Sequence, residues 1–206
     1  GTITLPDSSV VTVNFQALNA DNTPGTLFGA QTSGGTNYWV PSAPYVGTTV
    51  SNAPPDTDIL QLAGGLNQRY RVTLSEAVRD PIMPIVSLGS PGTAITYNFT
   101  LPFTILSQGT GYWGGTSTSL TALSANILQG AEGHGTVQFS GSISQIEWTV
   151  PTSEAWHGFT FGIRTTERID PIAGRPIPTN TPWAIALLLA TILVAGGLRL
   201  KARRSK

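Results

Sequence analysis

Tyr70–Gly89 reads Y-R-V-T-L-S-E-A-V-R-D-P-I-M-P-I-V-S-L-G: a strand, a turn and a second strand. Tyr70, Val72 and Leu74 alternate with polar residues, the period of two that turns one strand face to a core and the other to water. The same spacing recurs in both directions along the chain. Val11, Val13 and Phe15 share one face, as do Ile95, Tyr97 and Phe99. Val137 and Phe139, then Ile146, Trp148 and Val150, then Phe159, Phe161 and Ile163 continue it. Turn signals separate these runs, among them Thr23-Pro24-Gly25, Ser33-Gly34-Gly35, Ala53-Pro54-Pro55, Gly89–Gly92 and Gly109–Gly115. Regular strands between Gly- and Pro-rich turns predict an all-β, antiparallel β-sandwich or jelly-roll-like domain over residues 1–166. Only Leu120–Leu128 carries a weak helical signal before the tail. Asn19–Asp56 has few alternating runs and is expected to be a long loop with one or two short strands.

The composition agrees. With 206 residues the chain has room for one domain of about 150 to 170 residues plus further segments. Cysteine is absent, which excludes disulfides and thiolate metal sites. Charged residues are 11%, under half the usual share of about 25%. The net charge of zero hides an asymmetry. All eleven acidic residues lie from Asp7 to Asp170, against six arginines before Ile177, so this part is near −5. The other five cations, Arg199, Lys201, Arg203, Arg204 and Lys206, crowd the last eight positions.

Those cations follow Trp183–Leu198, W-A-I-A-L-L-L-A-T-I-L-V-A-G-G-L, in which Thr191 is the only polar side chain. As a helix this run spans about 24 Å, short of a hydrocarbon core of about 30 Å. Snorkelling of Arg199 and Lys201 and local thinning of the bilayer make up the difference. A transmembrane helix is therefore expected over 183–200, started by Thr181 as cap, Pro182 and interfacial Trp183. The basic cluster, 201–206 with Arg199, places the C-terminus in the cytoplasm and the β domain outside. That orientation calls for a leader upstream, so Gly1 is expected to be a mature N-terminus. Pro171, Pro176 and Pro178 make 167–182 an extended stalk.

Ile177-Pro178-Thr179, then Trp183-Ala184, a short apolar helix and an Arg-rich end resemble the IPTL-type C-terminal sorting signal. It is similar to the wider PEP-CTERM class of bacterial exosortase substrates. The family pattern reads I-P-T-L-S-E before the Trp; this chain departs from it at Asn180, Thr181 and Pro182. The resemblance covers about thirty residues. It implies that the tail holds an exported precursor in the inner membrane until an exosortase-like enzyme processes it near Ile177, Pro178, Thr179 and Trp183. Tyr70–Gly89 and Gly133–Gly162 look more loosely like the β-rich secreted modules found on such tails.

Neither histidine, His134 or His157, sits in a G-x-S-x-G, H-E-x-x-H or Walker sequence. A hydrolase would need one of them within hydrogen-bonding reach of a nucleophile or carboxylate in a cleft. Asp56 and Asp58 form a D-x-D that suits Ca²⁺ but fits better as a turn cap before a strand. Glu147 and Glu154 flank a turn, and their spacing alone does not establish a glycosidase pair. No catalytic residue, metal or cofactor is expected. Tyr38-Trp39 and Tyr112-Trp113 lie in Gly-rich loops and, with Trp148 and Trp156, are either candidates for stacking on sugar rings or simple packing that plugs the end of the sandwich; Trp148, alternating with Ile146, fits a core better. The expected function is a non-enzymatic, exported surface or extracellular-matrix protein, tethered and sorted by its tail. The alternative is a carbohydrate-binding module or adhesin on the same tail. Expected partners are the membrane, the processing enzyme, extracellular polysaccharide and further copies of the chain through exposed strand edges, but not nucleic acid.

Overall fold

Alternating strands build two antiparallel sheets in the computed structural model, which describes residues 1–5 and 8–163. The stalk, the sorting motif Ile177, Pro178, Thr179 and Trp183, the apolar span 183–200 and the basic cluster lie outside the described residues. Among the described residues no helix is long and apolar enough to cross a membrane. The first sheet runs β1 (Thr2–Thr4), β2 (Val10–Leu18), β5 (Arg69–Arg79), β12 (Ser142–Thr149), β7 (Ile95–Phe99), β10 (Ile127–Gly130) and β9 (Leu120–Ala122). The second runs β3 (Gly29–Gln31), β4 (Ile59–Leu62), β13 (His157–Phe159), β6 (Pro81–Leu88), β11 (Gly133–Gln138) and β8 (Thr104–Gln108), with β14 (Gly162–Ile163) also on β6.

The alternating apolar residues meet between the sheets. Tyr70, Val72, Tyr97, Phe99, Ile146 and Trp148 of the first sheet share one core with Met83, Ile85, Val137 and Phe159 of the second. Ring contacts cross the interface: Trp148 to Phe159 at 5.1 Å and Phe15 to Phe159 at 5.3 Å between centroids, both edge to face. These facing layers are the arrangement of a β-sandwich.

Strand β6 departs from simple alternation, being buried along its whole length. Met83 and Ile85 face the main core, whereas Val86 joins a second cluster with Trp39, Tyr45 and Ile59. The 19–56 segment supplies Trp39 and Tyr45, so this long loop covers the outer face of β6. It holds β3 and a single 3-10 turn, Ala43–Tyr45, as its sparse alternation predicts. Trp39 is thus a core residue, 1% exposed, so of the two readings its Gly-rich surroundings allow, packing holds and sugar stacking does not.

The helical spacing in 120–128 is also overridden. Residues Leu120–Ala122 and Ile127–Gly130 are the antiparallel strands β9 and β10. The Ser124 hydroxyl accepts from the backbone N–H of Ile127 at 3.1 Å, and the Asn126 side chain donates to the Phe99 carbonyl at 2.9 Å. Local polar bonds of this kind compete with a helix and fix a turn. Leu123 is left exposed instead of completing a helical stripe.

Candidate functional site

Polar chemistry in this domain gathers around a bulge. On β11, Gly133 faces Leu88 and Gly135 faces Ile85, so β6 carries one extra residue at Val86-Ser87. Ser87 takes φ +57°, a left-handed conformation that serine rarely adopts. Glu132, in the turn from β10 to β11, has φ +59°. These two uncommon backbones point at one another: the Ser87 hydroxyl donates to Glu132 Oε1 at 2.7 Å. Bulges and left-handed non-glycine residues concentrate where a side chain must be re-aimed for function.

The His134 ring, fully buried, joins the pair. Its Nε2 lies 3.1 Å from Glu132 Oε1, and its Nδ1 lies 3.0 Å from the Tyr45 hydroxyl. The Ser87 backbone N–H, 3.4 Å from Nδ1, can only donate, which makes Nδ1 the acceptor. Nε2 then carries the proton and donates to Glu132. Burial pushes His134 down to about 4, so the ring is neutral at physiological pH. Burial pushes Glu132 above the ordinary carboxylate range, helped by the charge of Glu154 and opposed by the bond from Ser87. Burial and the Glu132 charge also raise the Tyr45 hydroxyl.

Glu154 forms the second acid–imidazole contact, Oε2 lying 2.7 Å from His157 Nδ1. The two atoms are close but poorly aligned for a hydrogen bond, and both are sealed from solvent. The His157 ring packs on Tyr97, centroids 5.3 Å apart. Burial, then the Glu154 charge, drive Tyr97 well above its usual range.

Both carboxylates line one open cleft of about 600 Å³, with Ser87, Ser153, Trp113 and Trp156 among its other walls. That volume lies in the range of small-ligand sites, about 300 to 1,000 Å³. Another depression, beside Pro54 and Phe161, is smaller at about 170 Å³.

The glycine-rich loop explains how the aromatic wall is held. Gly111 and Gly114 bond each other's backbones, so Tyr112 and Trp113 are the two residues of a hairpin tip, 43% and 45% exposed. A Cβ on Gly111 would stand 2.2 Å from Cγ of His134, and one on Gly115 would stand 2.3 Å from the Glu132 carbonyl. Only glycine lets the loop rest on the Glu132–His134 segment. Tyr38 stacks on Trp113 at 5.1 Å and 23°, and Trp156 meets Trp113 edge to face at 4.8 Å. Tyr112 closes the cluster against Tyr38 at 5.2 Å.

The residues singled out from the sequence divide accordingly. Tyr38, Tyr112 and Trp113 come together; Trp39 does not join them, and Trp156 takes its place. Trp148 is core, 1% exposed. Glu147 does not partner Glu154, since Arg71 and Arg69 hold it at 2.6 and 3.3 Å. Asp56 and Asp58 sit in the turn that opens β4, and the Asp58 carbonyl accepts from the Trp39 indole at 3.2 Å. No group of three or more potential metal-ligating side chains occurs among the described residues. Each histidine lies behind a carboxylate of the cleft wall, but both rings are fully buried, and His134 has the hydrogen bond to its acid that His157 lacks. Glu132 is the residue that spacing missed. A lone carboxylate within Gly130-Ala131-Glu132-Gly133-His134, in a chain this poor in charge, was the available signal.

Fold and site together define an all-β, two-sheet domain with an aromatic and carboxylate cleft at one bulged strand. Comparison with known proteins returns no matching family model, curated protein or solved structure.

Proposed function

We propose that this chain is an exported, non-enzymatic surface or extracellular-matrix protein whose β domain binds carbohydrate. The cluster of Tyr38, Tyr112, Trp113 and Trp156 beside a hydroxyl-lined cleft carries the carbohydrate reading. Flat, partly exposed rings meet the apolar C–H faces of sugars, while serine and carboxylate oxygens accept their hydroxyl protons. Tyr112 and Trp113 expose large apolar area that the core does not use, which favours a binding role over packing alone.

The tail supports the export half of the proposal. The Pro-rich stalk, the apolar run over 183–200 and the basic end of the sequence support a location of the β domain at the cell surface. The IPTL-like motif supplies a site for an exosortase-like enzyme. Intact masses of the membrane-bound and released forms from the native host test this half. A released form ending near Thr179 supports sorting; full-length chain found only in the membrane overturns it.

Calorimetric titration of the full chain with soluble oligosaccharides tests the binding half. Trp113→Ala is expected to weaken the best ligand about tenfold or more, with little change in the unfolding midpoint because the ring is half exposed. Unchanged affinity in that variant, or no binding across the oligosaccharides, contradicts the reading.

A further inference from the structure

We infer that the cleft selects a cationic amino sugar, a glycan carrying free ammonium groups, with Glu132 and Glu154 as its counter-charges. The inference rests on the carbohydrate reading above and names its ligand class.

Three observations carry it. First, among the described residues the cleft is lined by two carboxylates and by no lysine or arginine, and Arg69 and Arg71 are engaged by Glu147. Two like charges that repel one another are costly to keep together without a counter-ion. Secondly, the Glu154 side chain is 10% exposed, and its Oε2 is sealed against the His157 ring, so its other oxygen is the one left for a ligand. Its companion Glu132 receives both its bonds, from Ser87 and His134, on Oε1 alone. Each carboxylate therefore keeps acceptor capacity. Thirdly, the rings of Trp113 and Trp156 line the same cleft, and indole faces attract cations as well as sugar C–H groups.

Competing cations fit less well. Ca²⁺ takes six to eight oxygen ligands, and the described residues hold no cluster of metal-ligating side chains. A quaternary ammonium has no N–H to give the carboxylates. A primary ammonium on a pyranose ring uses both halves of the site: its N–H groups bond the carboxylates while the ring lies on the indoles. The left-handed backbones of Ser87 and Glu132, and the buried imidazoles behind both acids, fix those carboxylates in place beforehand.

The test titrates the full chain with a glucosamine hexamer, an N-acetylglucosamine hexamer and hexalysine at physiological salt. The wild type is expected to bind the glucosamine hexamer at least tenfold more tightly than either of the others. Glu132→Gln and Glu154→Gln should each lose that preference. Glu132→Gln should also unfold no earlier than the wild type, because it removes a desolvated charge while its amide oxygen can still accept from Ser87. Equal binding of the two sugars, or a preference that survives both substitutions, overturns the inference and leaves the carbohydrate reading standing. Hexalysine binding as tightly as the glucosamine hexamer shows charge attraction alone and also overturns it. Failure of every oligosaccharide overturns the carbohydrate reading itself.

Discussion

Trp148→Ala is expected to lower the stability of the β domain by about 3 to 5 kcal/mol, read from urea unfolding at neutral pH. Trp148 stands where the sheets meet and is 1% exposed. Five rings surround it: Phe159 at 5.1 Å, Tyr70 at 5.7 Å, Tyr97 and Phe99 at 6.0 Å, and Phe15 at 6.2 Å. Truncation removes the largest apolar surface in the core and leaves a cavity that stiff neighbouring rings cannot close. Trp148→Phe should cost much less. The indole N–H is buried with no hydrogen-bond partner among the described residues, and phenylalanine removes that unsatisfied donor while keeping most ring contacts. A domain of this size is stable by about 5 to 15 kcal/mol in total, so the alanine variant sits near the edge of folding. A loss below about 1 kcal/mol would show that the interior is not packed as described.

Acid should destabilise the protein in a window set by His134. Its native value is about 4 against an unfolded value of 6.5, so between those limits the unfolded chain binds more protons. The stabilisation is complete above pH 6.5 and is lost as pH falls toward 4. The shift corresponds to about 3 kcal/mol. Glu132 works in the opposite sense. Its native value is raised, so its protonation on acidification favours the folded state and offsets part of the loss. His134→Asn should flatten the profile between pH 6.5 and 4, whereas Glu132→Gln should steepen it. Denaturant midpoints measured across that range decide the matter. A profile of the wild type that is flat there and matches His134→Asn would mean that the imidazole is not buried as a neutral acceptor.

The core was legible in the sequence because a strand's side-chain period is two and each inward residue is apolar. Tyr70, Val72, Leu74, Ile95, Tyr97, Phe99, Ile146 and Trp148 are all buried, as their alternation predicts. Where the period failed, a specific local force was responsible. Ser124 and Asn126 turn the 120–128 segment by bonding backbone groups, which outweighs an apolar spacing suited to a helix. Trp39 faces inward because β6 is buried on both faces and needs a cover, a demand set by a strand more than forty residues away.

The site was half legible. Aromatic pairs in Gly-rich loops pointed to Tyr38, Tyr112 and Trp113, but adjacency along the chain does not show which ring turns outward. Glu132 and Glu154 lie 22 positions apart in the sequence. Only the pairing of β6 with both β11 and β13 brings their neighbouring elements together. The glycines were visible as turn signals. Their second role, letting the Tyr112-Trp113 tip rest on His134, depends on a contact that spacing cannot encode.

Hydrogen exchange of the full chain, with and without the tightest-binding soluble oligosaccharide, tests the proposed carbohydrate binding at the cleft most directly. Binding there predicts slowed exchange confined to residues 110–116, 131–134 and 153–157, the segments that carry the Tyr112-Trp113 tip, Glu132 and Glu154. Protection absent from those three segments, or found only elsewhere on the sheets, would contradict it.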